Sequence, residues 1–262
     1  MGADPVYAQS LRFEDTLCAA RCDRAEPFGL GVAMLTPSLP LVYDLNFLNV
    51  HDPAGPVTGP ALLAAADRLL GGAGLGHRSV SLAGASDSPA IGSPLAAAGW
   101  EPSPLVTMAL RRAPDRPPGD HPRAEAVALD DLSGLFAGSL REHEAAAEGL
   151  VGQIAAADRR LLDATDARFF GVRGPDGHVV AACHLYSDGR TAQIEDVATL
   201  PAHRGQGAAR AVIGAAIAAA QAAGHELVFI VAEASGWPRE FYGRLGFDPI
   251  GTRTKWTLEA AA

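Results

Sequence analysis

The sequence predicts an α/β fold arranged as two tandem domains. Strand-like apolar runs alternate with helical stretches along the chain, which is the element order of α/β proteins. Residues 113–122 contain four prolines, which neither continue a helix nor donate to a sheet ladder, so a linker is predicted there. The pieces on either side, 1–112 and 123–262, each have the size of a domain.

The C-terminal piece has the clearer pattern. An aspartate at 130 or 131 can cap its first helix, and Gly224 can end its longest one. The turn Gly174-Pro-Asp-Gly177 suits a connection between two strands. Strands are predicted at 124–129, 168–173, 178–186, 191–200, 226–232 and within 247–258, and helices at 130–148, 151–163, 208–223 and 238–245.

The N-terminal piece repeats this order in weaker form. Strands are predicted at 29–35, 41–50, 77–82 and 105–111, and helices at 59–70 and 91–98. The segment Gly99-Trp-Glu-Pro102 precedes the last strand of this half, as Gly246-Phe-Asp-Pro249 does in the other half. The shared order indicates an internal duplication, and two unrelated α/β pieces are the alternative.

Composition and charge exclude several classes of function. Hydrophobic residues make up 48% and charged residues 19%, which is a globular composition. The formal net charge is −9 and no dense Lys/Arg cluster occurs, so no nucleic-acid partner is expected. Neither a signal peptide nor a membrane span is recognisable, so a cytoplasmic location without a membrane partner is expected. Cys18, Cys22 and Cys183 form neither a disulfide framework nor a metal-ligand pattern, and no metal is expected.

The sharpest local pattern is Pro-Ala-His-Arg-Gly-Gln-Gly-Ala-Ala-Arg at 201–210, between a predicted strand and a long helix. The amides that open a helix carry about half a positive charge, which favours an anion. Gly205 and Gly207 let a phosphate approach the backbone, and Arg204 and Arg210 can add charged contacts. The pattern is neither a Walker loop nor a Rossmann fingerprint. Taken alone, it is equally typical of a plain strand-to-helix turn.

The context of this segment resembles the GCN5-related N-acetyltransferase (GNAT) superfamily. Residues 204–209, Arg-Gly-Gln-Gly-Ala-Ala, resemble its Gln/Arg-x-x-Gly-x-Gly/Ala signature, and residues 241–247, Phe-Tyr-Gly-Arg-Leu-Gly-Phe, resemble its second motif. Both occur in the family's order, and the resemblance covers roughly residues 121–258. It implies a mixed, mostly antiparallel sheet flanked by helices, with a catalytic domain at 123–262 and a degenerate GNAT-like domain without a cofactor cradle at 1–112.

In this family one strand splays from its neighbour and pairs with the pantetheine arm of acetyl-coenzyme A (acetyl-CoA). The resemblance therefore implies acetyl-CoA as cosubstrate. The implied contacts are Val197, Ala198, Thr199, Arg204, Gly205, Gln206, Gly207, Ala208, Ala209, Arg210 and Ser235. Ser235 stands where many members have an asparagine, and its hydroxyl reaches less far. Trp237 is expected either to pack on the pantetheine or to cap the core.

The resemblance also implies direct attack of a primary amine on the thioester. Tyr242 aligns with the general-acid tyrosine, and a phenol of pKa about 10 can protonate a thiolate; packing on the cofactor alone is the alternative. Glu195 is the implied base, through a water, with an ammonium anchor or a surface carboxylate as alternatives. Adjacent strand residues point to opposite faces, so at most one of Glu195 and Asp196 is expected to face the cleft. An N–H near Thr199 is the implied oxyanion donor.

The predicted function is therefore N-acetylation of a small-molecule or peptide amine by a monomer or homodimer. A non-catalytic CoA-binding regulatory protein is the alternative, and a longer acyl thioester is a third possibility. Residues 141–144 border the acceptor site in this family, although a solvated helix face accounts for them as well. His184 and His203 are expected to be structural. Asp44 and Asn46, predicted on one strand face, are candidate acceptor contacts from the N-terminal half, which otherwise serves as scaffold.

Overall fold

The computed structural model describes residues 4–50, 55–84, 88–116, 122–141 and 149–260. The chain forms two compact units. The first contains residues 1–107, 232–236 and 250–262, and the second contains residues 108–231 and 237–249. The end of the last strand therefore belongs to the first unit, whereas the sequence analysis places it with the C-terminal domain. The functional boundaries at residues 112 and 123 stay a prediction.

The first unit is a mixed sheet with helices. Its helices are α1 (Pro5–Arg21), α2 (Gly59–Ala66), which a π-helical turn at Asp67–Gly71 continues, and α3 (Pro89–Ala97). Its strands are β1 (Arg24–Phe28), β2 (Gly31–Leu35), β3 (Phe47–Val50) and β4 (Arg78–Ala83), and β5 (Glu101–Leu110) begins in this unit. β4 also pairs with residues 253–258 of the final strand β11 (Phe247–Leu258). β1 with β2, β2 with β3 and β4 with β11 pair antiparallel, whereas β3 and β4 are parallel.

One buried cluster forms the core of this unit. It includes Leu62 and Leu70 from the helical segment, Val80 and Leu82 from β4, and Trp256 from β11. Val80 and Leu82 both enter the core because side chains two apart on a strand share a face.

Helix α1 is not predicted by the sequence analysis, although its start carries a recognisable signal. Asp4 caps the helix, because its carboxylate accepts from the amide of Val6 at 2.9 Å. Pro5 occupies the first helical turn, where its missing N–H costs nothing. Strand β1 is likewise an addition to the predicted elements.

The strand predicted at 41–50 is wrong in its first half. Tyr43–Leu45 is a 3-10 turn, and β3 begins only at Phe47. The reason is the fully buried Asn46, whose amide donates to the carbonyls of Leu39 and Val42 at 3.0 Å. An asparagine that satisfies loop backbone groups in this way competes with the sheet ladder.

The hypothesis that Asp44 and Asn46 contact an acceptor from one strand face is therefore wrong in its premise. Neither residue lies on the strand. Asn46 holds a loop together, and the carboxylate of Asp44 forms an ion pair with Lys255.

The second unit contains the elements predicted from the clearer half of the sequence. Its helices are α4 (Ser133–Arg141), which follows a 3-10 turn at Leu129–Leu132, α5 (Leu150–Ala164), α6 (Ala208–Ala222) and α7 (Trp237–Arg244). Its strands are β6 (Glu125–Val127), β7 (Asp166–Arg173), β8 (Val179–Ser187) and β9 (Thr191–Thr199), together with most of β10 (Leu227–Glu233). The predicted helices at 151–163, 208–223 and 238–245 are confirmed within one or two residues.

The two units share one strand order. In the first, β1, β2 and β3 pair antiparallel, and β3 then pairs in parallel with β4 across α2. In the second, β7, β8 and β9 pair antiparallel, and β9 then pairs in parallel with β10 across α6. This repetition is the tandem α/β fold that the sequence predicts.

Candidate active site

The candidate site of the second unit begins where a parallel ladder ends. β10 pairs with β9 from Leu227 beside Thr191 to Ile230 beside Ile194. Among the described residues this ladder goes no further, although β9 continues to Thr199. Residues 195–199 therefore present a backbone edge without β10, and a ligand can pair with such an edge as an added strand.

A β-bulge interrupts the other edge of β9. Ala182 of β8 pairs with Ala198, whereas His184, two residues further along β8, pairs with Glu195, three residues back along β9. Asp196 lies in this bulge with a φ of 52°, the only positive φ of a non-glycine residue in the described chain. An aspartate tolerates that conformation better than most residues.

The bulge decides which way two adjacent carboxylates point. Glu195 pairs directly with His184, and the carboxylate of Asp196 lies 3.0 Å from Nδ1 of the same histidine. Both side chains therefore lie on the His184 face of the sheet, so the expectation that they point to opposite faces is wrong. Alternation holds only for a regular strand, and the bulge interrupts it.

His184 and Tyr186 form a polar cluster with Asp196. The hydroxyl of Tyr186 donates to Asp196 Oδ2 at 2.8 Å and lies 2.7 Å from His184 Nδ1. The imidazole is fully buried and meets Phe136 and Phe169 edge to face, and its Nε2 has no hydrogen-bond partner among the described residues. His184 is therefore tied to the candidate site, beyond the structural role expected from the sequence.

Part of this cluster has a signal in the sequence. His184 and Tyr186 lie two apart in a strand that is otherwise mostly apolar, which places both on one face. The bulge that brings Asp196 to them has no such signal.

The turn from β9 to α6, residues 201–210, has the geometry of an anion-binding site, and we call it the cradle. Gly205 and Gly207 have φ values of 74° and 84°, which glycine adopts without strain. No side chain caps α6 at Gly207, and the amide of Ala211 bonds to the carbonyl of Gly207 at 3.0 Å. Helix geometry leaves the amides of residues 208–210 without intrahelical acceptors, so they are available to an anion.

The surroundings of the cradle leave room for a ligand. A Cβ placed on Gly205 would meet no atom within 4 Å. The hydroxyl of Thr199 is buried and has no hydrogen-bond partner among the described residues. Arg204 Nε donates to the carbonyl of Thr199 at 3.1 Å, and Gln206 donates to the carbonyl of Ala202 at 3.1 Å. These two bonds, together with those from the amides of His203 and Arg204 to the carbonyls of Leu200 and Pro201, fix the shape of the turn.

Tyr242 is a buried side chain on α7. Burial raises the pKa of its phenol well above the usual value, and the negative charge of Glu195 raises it further. The side-chain amide of Gln193 donates to the carboxylate of Glu195. The roles of Glu195 as base and of Tyr242 as acid stay predictions.

The remaining predicted residues are distributed unevenly. Ser235 is exposed and lies in segment 232–236 of the first unit, so its cofactor contact stays a prediction. Trp237 is 66% exposed and therefore does not cap the core. Glu142, His143 and Glu144 lie outside the described residues, as do residues 51–54 and 117–121. His203 lies in the 3-10 turn before the cradle.

Within the described ranges no three His, Cys, Asp or Glu side chains group as metal ligands. In the same part of the chain, no helix combines the length and the apolar character needed to cross a membrane.

The sequence of this region identifies its class. Residues 137–247 match the model of the acetyltransferase (GNAT) family. The match spans the bulge, the cradle and Tyr242. These residues form a domain of the GNAT family of acyltransferases, as the resemblance of the motifs implies.

Solved structures share the fold over nearly the whole chain. A functionally unknown conserved protein from Staphylococcus epidermidis has a TM-score of 0.69 at 13% identity, covering 90% of this chain and 93% of that one. A GCN5-related N-acetyltransferase from Kribbella flavida has a TM-score of 0.64 at 19% identity, covering 100% and 98%. A tandem GNAT protein from the clavulanic acid biosynthesis pathway has a TM-score of 0.54 at 14% identity, covering 100% and 98%. These identities show the fold alone. No protein of curated function matches the chain in sequence.

Proposed function

We propose that the chain is an N-acetyltransferase that moves an acetyl group from acetyl-CoA to a primary amine. The observation that carries the proposal is the departure of β9 from β10 after Ile194, directly before an uncapped helix start. A cofactor with an amide-bearing arm and a pyrophosphate needs a free strand edge followed by an anion site. GNAT proteins use acetyl-CoA, and this juxtaposition fits that molecule.

The residues present fit each part of the cofactor. The backbone of Val197 and Ala198 and the unpaired hydroxyl of Thr199 are offered to the pantetheine arm. The amides of residues 205–210 and the side chains of Arg204 and Arg210 are offered to the pyrophosphate, with Ser235 as a further proposed contact. When bound, acetyl-CoA supplies an acetyl group activated as a thioester.

Two side chains move the protons in this proposal. Glu195 takes a proton from the attacking amine, directly or through a water, as the new C–N bond forms. Tyr242 gives its proton to the sulfur as the C–S bond breaks. Its raised pKa keeps Tyr242 protonated, so the proton is present whenever the substrates meet. The same pKa makes the phenol a weak acid, so the transfer waits until charge has developed on sulfur.

The acceptor in this proposal is a small-molecule or peptide amine that arrives as an ammonium ion and releases one proton to water before the attack, so that the proton taken by Glu195 is the second. The bulge places Glu195 and Asp196 on one face, and the Tyr186 hydroxyl donates a hydrogen bond to Asp196. Two carboxylates side by side favour a cation over a neutral or anionic acceptor. The predictions of a cytoplasmic location and of a monomer or homodimer are kept.

A non-catalytic CoA-binding regulatory protein is the second candidate function. The observation that favours it is the pKa of Tyr242, because a phenol that holds its proton tightly transfers it less readily. Both candidates use the same cradle, so they differ in turnover and share cofactor binding.

Calorimetric titration with acetyl-CoA, followed by a CoA-release assay with a panel of primary amines, tests the proposal. We expect one binding site per chain and release with at least one protonated amine. Glu195→Gln should lower kcat about a hundredfold or more, the usual contribution of a general base. Asp163→Asn, which removes one exposed carboxylate elsewhere in the unit, is the matched control. Binding without release would favour the regulatory function, and absence of binding would refute both.

A further inference from the structure

The ring of Trp237 is a surface that the proposed chemistry does not use. Of the three tryptophans, Trp100 and Trp256 are 4% and 7% exposed in the core of the first unit. Trp237 is 66% exposed at the start of α7. Burying an aromatic ring of this size gives a favourable free energy, so the exposed Trp237 is a candidate for contact with a ligand.

Trp237 continues a strip of contacts that starts at the anion cradle. Its ring centroid lies 5.5 Å from that of Phe241, one helical turn further along the same face of α7. The guanidinium carbon of Arg210 lies 5.9 Å from the centroid of Phe241, a cation–π contact. Arg210 belongs to the first turn of α6, where the free amides lie. We call Arg210, Phe241 and Trp237 the aromatic strip.

The strip leads away from the reacting end of the site. Tyr242 follows Phe241 in sequence, but it is buried and packs beside Phe247, whereas Phe241 and Trp237 are partly or largely exposed. Tyr242 lies five positions after Trp237, which is about 7.5 Å along the helix axis. A long ligand can therefore place one end at Tyr242 and its middle in the cradle. Its other end can then contact the aromatic strip.

We infer that Trp237 stacks on the adenine base of CoA and so provides the nucleotide end of the cofactor site. The inference rests on the proposed function, because it takes CoA as the ligand of the cradle. Every base has a π-face, and base stacking on an exposed aromatic ring is a recurrent mode of nucleotide binding. In this inference the guanidinium of Arg210 binds the phosphates through its charge, while its planar face packs on the ring of Phe241. The pantetheine arm leaves the cradle in the opposite direction, toward residues 195–199.

Fluorescence and calorimetry on the full chain test this assignment. The probes are CoA, adenosine 3′,5′-bisphosphate and pantetheine. Trp237 is the exposed fluorophore, so the bisphosphate should quench the emission of the wild type and leave that of Trp237→Ala unchanged. Trp237→Ala should weaken CoA and the bisphosphate about fivefold or more, the usual effect of losing one stacking ring, with pantetheine unaffected. Trp237→Phe should retain most of the affinity. Leu162→Ala, which truncates a side chain that is 48% exposed, is the control.

The outcomes separate this inference from the proposed function. If the wild type binds no CoA, both fall. If CoA binds and Trp237→Ala binds it equally well, the stacking role is overturned and the acetyltransferase proposal stands. Quenching by pantetheine alone would also overturn it, in favour of packing on the arm. A change in oligomeric state of Trp237→Ala without loss of CoA affinity would assign the ring to a protein contact and overturn the inference as well.

Discussion

The two units share one strand order but differ in how far their two parallel strands stay paired. We call the end of each parallel ladder, with the helix start that follows it, the junction. In the first unit the ladder between β3 and β4 reaches Val50, the last residue of β3. In the second unit the ladder between β9 and β10 stops at Ile194, and β9 continues to Thr199 without β10. Over its described residues β3 is therefore paired with β4 to its end, whereas β9 leaves an edge that a ligand can satisfy.

The helix that follows each junction shows the same contrast. In the first unit Thr58 caps α2, with its hydroxyl accepting from the amide of Ala61, and Pro60 has no N–H to offer. A Cβ on Gly59 would lie 2.7 Å from the Cβ of Pro94, so α3 packs closely against this helix start. In the second unit α6 has no side-chain cap. A binding site can thus arise where strand pairing and a helix cap are absent. The first unit has both at its described junction, which supports the proposal that it has no cradle.

The largest expected effect is a loss of acetyl-CoA affinity when the cradle of the second unit is closed by substitution. Gly207→Glu puts a side chain where φ is 84° and a negative charge where the anion is proposed to bind. We expect acetyl-CoA affinity to fall about a hundredfold or more, because steric and like-charge effects add. Gly214→Glu on the same helix is the matched control, since Gly214 is exposed and a Cβ there meets no atom within 4 Å. Equal affinities of the two variants by calorimetry would exclude the cradle as the cofactor site.

The next effect concerns turnover. Tyr242→Phe keeps the ring that packs beside Phe247 and removes only the hydroxyl, so acetyl-CoA affinity should be unchanged. We expect kcat to fall about tenfold or more if the hydroxyl is the general acid. Tyr43→Phe in the first unit is the control. A kcat of Tyr242→Phe equal to that of the wild type would show that the tyrosine is a packing residue and does not act as the general acid.

Sequence reasoning reaches the cradle more easily than the bulge, for a physical reason. Gly205, Gly207 and the following alanines are local signals, because a turn with positive φ before a helix needs those residue types in that order. The bulge at Asp196 depends on the register between two strands, and register is a long-range property. The period-2 rule therefore misplaces Asp196 relative to Glu195, although it places the regular strands on either side correctly.

The same limit explains the errors in the first unit. Asn46 ends the predicted strand because its amide finds carbonyls four and seven residues back in the chain. The closing strand of this unit is residues 253–258, which are far from β4 in sequence. Composition and periodicity describe neither relation, whereas the capping signal at Asp4 and Pro5 is local and could have been used.

Alkaline pH should destabilise the chain through groups in both units. Burial raises the pKa of Tyr242 well above that of an unfolded tyrosine, and the pKa of Tyr7 is raised to about 12. The unfolded chain therefore loses these protons first as the pH rises past about 10, so the stabilisation present below that pH is progressively lost. Each such group lowers the free energy of unfolding by up to about 1.4 kcal/mol per pH unit in this window.

Denaturant unfolding between pH 9 and 11 measures this loss. Tyr242→Phe and Tyr7→Phe should each make the decline shallower, and Tyr43→Phe, at a less buried site, should do so less. A decline of equal slope in Tyr242→Phe and the wild type would show that the Tyr242 hydroxyl titrates alike in the folded and unfolded chain.

The smallest expected effect lies at the cap of the first unit and completes the comparison. Thr58→Ala removes the hydroxyl that accepts from Ala61 at 3.4 Å. We expect the free energy of unfolding to fall by about 0.5–1 kcal/mol, the lower part of the range for helix caps, because this bond is long. Acetyl-CoA affinity should not change, since this helix start is closed by its own side chain, by Pro60 and by α3. A new acetyl-CoA site in Thr58→Ala, seen as a second equivalent by calorimetry, would show that the cap alone blocks binding there. The difference between the units would then lie in one hydroxyl rather than in the packing of the whole junction.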